Sequence, residues 1–158
     1  MEKTLVTAGR LVTPFEQLDD REILIGEGRI LRIGAPGTIR DFDRRIDAAD
    51  KIVVPGFIDV HVQGAGGADV LDATPEALDV IALTCARYGV TGFLATTVYR
   101  RGEENPHLST AAQACFRNPE GAELLGIHLE GPFIAKGKRG MIQEESLAPV
   151  DRGTLERI

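Results

Sequence analysis

The sequence predicts an α/β protein in two parts: a small β-sandwich lobe over residues 1–52, then βα units that build a parallel sheet over residues 53–158. Three observations carry this. Residues 3–47 read as short alternating strands broken by Pro14, Pro36 and several glycines. After residue 53, β-branched stretches alternate with amphipathic helical ones, which is the pattern of parallel βαβ units. Finally, polar residues gather where these stretches give way to glycine, the placement expected at the carboxyl ends of strands in a barrel or a doubly wound sheet.

In the first part the spacing predicts strands over 4–12, 21–25 and 29–33. Ile25-Gly26-Glu27-Gly28-Arg29-Ile30 is expected to form a tight antiparallel hairpin, with Gly26 and Gly28 free to take positive φ. The next strand is expected to run from Val53 to Val62. Thr74-Pro75-Glu76 then supplies an N-cap, a first-turn proline and an acidic first turn ahead of Leu78, Ile81, Ala82 and Cys85, so a helix follows and closes near Tyr88-Gly89. Val90 to Val98 reads as a strand, Leu108 to Phe116 as a helix, and Leu124 to Leu129 as a third strand.

Composition narrows the function. The formal charge of −6, with 18 Lys and Arg against 24 Asp and Glu, argues against a nucleic-acid surface. No apolar run is long enough to span a bilayer, and the N-terminus has no signal-peptide core, so a cytoplasmic enzyme with no membrane partner is expected. Cys85 and Cys115 lie in separate helical patterns without metal-ligand spacing and are expected to be core thiols.

The stretch richest in chemistry is Val53-Val54-Pro55-Gly56-Phe57-Ile58-Asp59-Val60-His61-Val62-Gln63-Gly64. Asp59, His61 and Gln63 share a two-residue period, so on a regular strand they project to one face, with Ile58, Val60 and Val62 on the other. The bulky residues suit a strand covered on both faces. A polar column inside such a strand suits a ligand; the plain alternative is a satisfied core histidine flanked by local caps. Gly64-Ala65-Gly66-Gly67 lacks the spacing of a nucleotide-binding loop and reads as a rim loop, with Asp69 and Asp72 as caps. Arg100-Arg101 reads as a solvated pair.

Val54-Pro55-Gly56-Phe57-Ile58-Asp59-Val60-His61, Gly89-Val90-Thr91 with Phe93-Leu94 and Thr96-Thr97, and above all Gly126-Ile127-His128-Leu129-Glu130-Gly131-Pro132-Phe133-Ile134 resemble the N-acetylglucosamine-6-phosphate deacetylases of the amidohydrolase superfamily. The resemblance implies a β-sandwich followed by a (β/α)8 barrel, a divalent metal ion such as zinc at one per site, an amino-sugar phosphate as substrate, and a homodimer. It makes Glu130 the metal ligand, His61 the candidate second ligand, and His128 a supporting residue. Such a barrel takes eight βα units and about 250 residues. Three units are counted here, so the sequence is expected to stop inside the barrel, ahead of the family's remaining metal-binding histidines and its catalytic aspartate. The 158-residue chain alone is therefore expected to be inactive.

Two departures bear on specificity. The His-x-His common among amidohydrolases is His61-Val62-Gln63 here, and a glutamine amide is a poorer ligand than imidazole, which favours one metal and makes Gln63 a candidate substrate contact. Where family members place Lys-Lys-Gly-Ala-His against the sugar, this chain has Lys138-Arg139-Gly140-Met141-Ile142. Isoleucine can neither donate nor accept a hydrogen bond, so substrate recognition is expected to change, with Arg139, Met141 and Ile142 as candidate contacts. The alternatives are an amidohydrolase of other specificity, such as an aminoacylase or deaminase, and a non-catalytic fragment of such an enzyme.

Overall fold

The computed structural model describes residues 2–115, 117 and 120–158. The chain divides into two compact units, Met1–Pro55 and Gly56–Ile158, each described by itself.

The first unit is one four-stranded sheet made of β1 (Lys3–Val12), β2 (Gln17–Gly26), β3 (Arg29–Gly34) and β4 (Arg44–Val53), in the order β3-β2-β1-β4. β1–β2 and β2–β3 are antiparallel, as the alternating pattern predicts, whereas β4 pairs parallel to β1. The unit therefore departs from the expected sandwich: among the described residues its second layer is the crossover between β3 and β4, not a second sheet. From that crossover Ile39 and Phe42 pack on Leu5 and Leu24, while Val6, Ala8, Leu11 and Ile23 gather on the other face. The hairpin also differs in detail. Glu27 and Gly28 take the positive φ of a two-residue turn, and Gly26 stays in β2.

Glu22 anchors the crossover. It shares a face of β2 with Leu24, is only 7% exposed, and accepts hydrogen bonds from the backbone N–H groups of Gly37 at 2.8 Å and Ile39 at 3.2 Å. A buried carboxylate without such donors would cost several kcal/mol. With them, the bond from Gly37 first and then that from Ile39 hold its carboxyl below the usual range against the opposing effect of burial.

The expected single strand from Val53 to Val62 is two strands. β4 ends at Val53, paired with Leu11, and β5 (Phe57–Val62) begins after Val54-Pro55-Gly56. Proline cannot donate to a ladder, and at Gly56 an added Cβ would lie 2.2 Å from the Thr91 side chain, so the chain crosses there where only glycine fits.

The second unit holds β5, β8 (Val90–Thr97) and β9 (Glu123–Leu129) as adjacent parallel strands in the order β5-β8-β9. A two-residue hairpin, β6 (Gly64–Ala65) with β7 (Ala68–Asp69), follows β5, with Gly66 and Gly67 at positive φ in its turn. Asp69 accepts from the Leu71 N–H at 2.8 Å and Asp72 from the Asp69 N–H at 2.8 Å, a reciprocal cap. α1 (Pro75–Arg87) starts where the sequence places it, with Thr74 accepting from the Ala77 N–H at 3.2 Å and Gly89 following the helix at φ 82°. α2 (Pro106–Ala114) begins two residues before the expected start because Pro106 takes the first turn; its expected end at Phe116 lies outside the described residues.

Both helices cover one face of the sheet, burying Phe93, Ala95, Leu124 and Val62 against Ile81, Cys85 and Ala111. Burial pushes the Cys85 thiol up, with the Asp59 charge adding to it, in keeping with a core thiol. The other face is open: Ile58 is 64% exposed, and Val60 and Leu125 are exposed too, against the expectation of a strand covered on both sides.

For the first unit, Glu22→Gln should lower stability by roughly 1–3 kcal/mol at neutral pH, the usual cost of weakening hydrogen bonds to a buried charged acceptor. Because the folded carboxyl titrates below its ordinary value of 4.5, its contribution is complete above that pH and fades as pH falls through the lower folded value. Urea midpoints for both proteins at pH 7 and pH 3 check this. A gap of equal size at both pH values would show that the charge plays no part.

Candidate active site at the carboxyl ends of the parallel strands

β8 fixes the geometry of the site. Asp59 pairs with Phe93 and Val62 with Ala95, so three residues of β5 advance against two of β8. This bulge breaks the two-residue period. Asp59 and Val62 lie on the helix-covered face with Phe93 and Ala95, and the expected column of Asp59, His61 and Gln63 is not formed. Asp59 instead accepts a hydrogen bond from the His61 N–H at 3.0 Å.

His61 lies on the opposite face. Its ring meets the ring of His128 edge-on, centroids 5.1 Å apart, and His128 pairs in register with Thr96 and exchanges a 3.2 Å hydrogen bond between Nδ1 and the Thr96 hydroxyl. One turn of backbone further, Gln63 and Glu130 converge directly: the Gln63 amide Nε2 donates to Glu130 Oε2 at 2.8 Å. Glu130 stands just past β9, its N–H bonded to the Thr97 carbonyl at 2.8 Å, so the ladder itself carries the carboxylate to the strand end.

Glu130 and Gln63 open onto a cavity of about 550 Å³ whose wall includes Thr96, Thr97, Arg100, Lys138, Arg139, Met141 and Ile142. That is ample for a sugar phosphate. Met141 is 94% exposed at its rim. Ile142 is 8% exposed and packs toward Gly131, its N–H bonded to the Arg139 carbonyl at 3.1 Å, so it acts as a packing residue of the wall. Arg139 spends Nη1 on the Ile142 carbonyl. His61 lies beside this cavity, lining a shallower neighbour with Tyr88 and Thr84.

As a metal site, the described residues supply part of a set. Glu130 offers a half-buried carboxylate with one oxygen held by Gln63, whereas Asp69 is committed to its cap. Among the described residues no three His, Cys, Asp or Glu side chains gather as a metal-binding group. The donors present fit one corner of a divalent site.

The loop after β8 is built by residues outside the sequence-predicted site. Asn105 clamps it: its Oδ1 accepts from the Arg100 N–H at 2.7 Å, and its Nδ2 donates to the Arg100 and Glu103 carbonyls, each at 3.0 Å. The buried His107 ring holds the Val98 carbonyl at 2.9 Å through Nε2. Arg100 is thereby placed on the cavity wall, while Arg101 is exposed, its charge adding slightly to what holds the Asp151 carboxyl below its usual range. The available signal was Asn105-Pro106-His107, a polar cap-and-turn triplet ahead of a helix. Asn105→Ala should speed hydrogen exchange of the Arg100 amide about tenfold, the effect of losing one hydrogen bond worth about 1.4 kcal/mol. Residue-resolved exchange checks this, and unchanged protection would mean that another contact holds the loop.

No family model matches the chain. It is 34% identical over 155 residues to an N-acetylglucosamine-6-phosphate deacetylase of Bacillus subtilis, covering 95% of this chain and 39% of the relative. It is 33% identical over 156 residues to an N-acetylgalactosamine-6-phosphate deacetylase of Escherichia coli O157:H7, covering 98% of this chain and 40% of the relative. Among solved structures, an N-acetyl-D-glucosamine-6-phosphate deacetylase mutant of Mycobacterium smegmatis in complex with N-acetyl-D-glucosamine-6-phosphate superposes with a TM-score of 0.78 at 29% identity, over 99% of this chain and 40% of that one. The Thermotoga maritima N-acetylglucosamine-6-phosphate deacetylase gives 0.70 at 28% identity, over 100% of this chain and 39% of that one. The chain thus spans about two fifths of the length of the relatives it matches. It belongs to the N-acetylglucosamine-6-phosphate deacetylase family, whose N-terminal part it represents.

Proposed function

We propose that this chain forms the Glu130-bearing part of an amidohydrolase that removes the acetyl group of N-acetylglucosamine-6-phosphate, giving glucosamine-6-phosphate and acetate. The observation that carries it is the Glu130 carboxylate, half-buried at the end of a parallel strand, steered by Gln63 and open to a cavity of sugar-phosphate size. The names of the Bacillus and Mycobacterium relatives support the reading. In this proposal β5, β8 and β9 are the first three strands of a (β/α)8 barrel, the enzyme is a cytoplasmic homodimer, and the residues after 52 or so form the catalytic domain.

Glu130 would hold a divalent ion, zinc or similar, and His61, close to His128 on the open face, is the candidate for a second ligand from this chain. When bound, such an ion supplies Lewis acidity toward the amide carbonyl and a water of lowered pKa. Gln63 keeps one Glu130 oxygen in a fixed direction, so the carboxylate meets its partner already oriented. Leu71, Ile134 and Ile142 supply the apolar part of the cavity wall.

Ile142 favours a second reading, an amidohydrolase of other specificity such as an aminoacylase or deaminase, because its own side chain offers no hydrogen bond to an acetamido group. One assay decides between them. The natural protein carrying these residues, supplied with divalent metal, should release acetate from N-acetylglucosamine-6-phosphate faster than from N-acetylgalactosamine-6-phosphate or an N-acetyl amino acid, and Glu130→Gln should lower the rate at least about 100-fold, since a neutral amide cannot replace an anionic ligand. Preference for the amino acid would establish the second reading; a fully active Glu130→Gln variant would remove Glu130 from the site.

A further inference from the structure

Three side chains at the start of α2 bond to segments outside the helix. Asn105 stands at the N-cap, where its side chain would ordinarily accept from a first-turn N–H, yet it makes no such bond. Its amide is committed instead to the loop after β8, through the Arg100 N–H and the Arg100 and Glu103 carbonyls. His107, only 1% exposed, donates from Nε2 to the Val98 carbonyl at 2.9 Å, and because a carbonyl only accepts, that nitrogen carries the proton. Thr110, three residues on and on the same helix face, reaches a different segment: its hydroxyl donates to the Ala73 carbonyl at 3.2 Å.

Ala73 closes the short 3-10 helix Val70–Asp72, which follows the β6–β7 hairpin, and it takes φ 56° and ψ 31°. That left-handed conformation strains any L side chain and persists where the surroundings hold it. Its own N–H meets the Val70 carbonyl at 3.3 Å, a long bond, so the Thr110 hydroxyl is a second hold on the same residue. Both tethered segments supply the cavity beside Glu130: Asp69 and Leu71 come from the first, Val98 and Arg100 from the second. Two loops that follow different strands are thus fastened to the first turns of one helix, and none of the three fastening residues lines that cavity.

We propose that Asn105, His107 and Thr110 are positioning residues that couple the loop after β5 to the loop after β8, so that two sides of the cavity are set relative to each other before substrate arrives. Its consequence for substrate rests on the deacetylase reading above. Releasing Thr110 frees Ala73 to leave its strained conformation and loosens the start of α2, which carries the holds on Val98 and Arg100. Leu71 and Arg100 therefore lose their placement together. A wall that is fixed in advance leaves less to be ordered on binding, so the coupling acts on substrate affinity and leaves the bond-breaking step alone.

Thr110 is half-buried, so Thr110→Val keeps the shape of the side chain and removes only the hydroxyl, and Thr110→Ser restores it. In residue-resolved hydrogen exchange of the natural protein carrying these residues, Thr110→Val should speed the Leu71 and Ala73 amides about 5- to 10-fold, as for one lost neutral hydrogen bond, and the Arg100 amide on the other loop about 3-fold. Thr110→Ser should bring all three back toward the natural rates. An Arg100 amide that keeps its rate in Thr110→Val would confine Thr110 to its own turn and overturn the coupling. If Thr110→Val does not fold, Asn105→Ala reads the same coupling from the other loop: a faster Ala73 amide upholds it and an unaltered one rejects it. With N-acetylglucosamine-6-phosphate, Thr110→Val should raise KM about 3- to 10-fold and leave kcat within about twofold, with Thr110→Ser recovering most of the loss. A fall in kcat at unchanged KM would reject the positioning role. Should the natural protein release no acetate from this sugar, the deacetylase reading fails, while the exchange of Arg100 and Ala73 still decides whether the two loops are coupled.

Discussion

The central strand β8 is the constraint on which the second unit depends. It pairs with β5 on one side and β9 on the other, and its alternation sends Phe93 and Ala95 into the helix-covered core while Thr96 faces the open side. Phe93 has no exposed surface, so a slip of β8 by one residue would turn a large aromatic to solvent and a threonine to the core. With β8 pinned, the ladders determine the rest. His128 falls beside Thr96, Glu130 is held to the Thr97 carbonyl, and Gln63 arrives within hydrogen-bond distance of Glu130 from the far side of the same strand. The site is thus assembled from residues 67 apart in sequence by a packing decision made in the core.

How much of this the sequence discloses follows from which signals are local. Thr74-Pro75 and Gly89 bound α1 by cap chemistry within a few residues, and the first helix emerges as expected. β4 was hidden because it is a strand for a non-local reason. Its residues Arg44 to Lys51 are largely charged and exposed, without the apolar alternation that marks a strand, and only parallel pairing with β1 makes it one. The face of Asp59 does not follow from the sequence, because a bulge is a property of two strands in register and leaves no mark in one of them.

The candidate site divides in the same way. Glu130 was visible because a carboxylate at the end of an apolar strand before Gly131-Pro132 is unusual by itself and carries the family resemblance. Arg100 reads as solvated in the sequence because two adjacent arginines look alike there. Their difference is made by Asn105 and His107, which hold the loop after β8 so that Arg100 lines the cavity and Arg101 is exposed.

Glu22 differs in kind from the exposed ion pairs of the first unit. The pairs Lys51–Asp50 and Arg10–Asp19 are exposed associations of opposite ions, which weaken as added salt shortens the screening length below its value of about 10 Å at 0.1 M. Glu22 is bound by peptide dipoles in a buried position, where mobile ions do not reach. Salt that weakens the surface pairs leaves this anchor in place, so the crossover between β3 and β4 should keep its position in concentrated salt and in a dilute buffer alike.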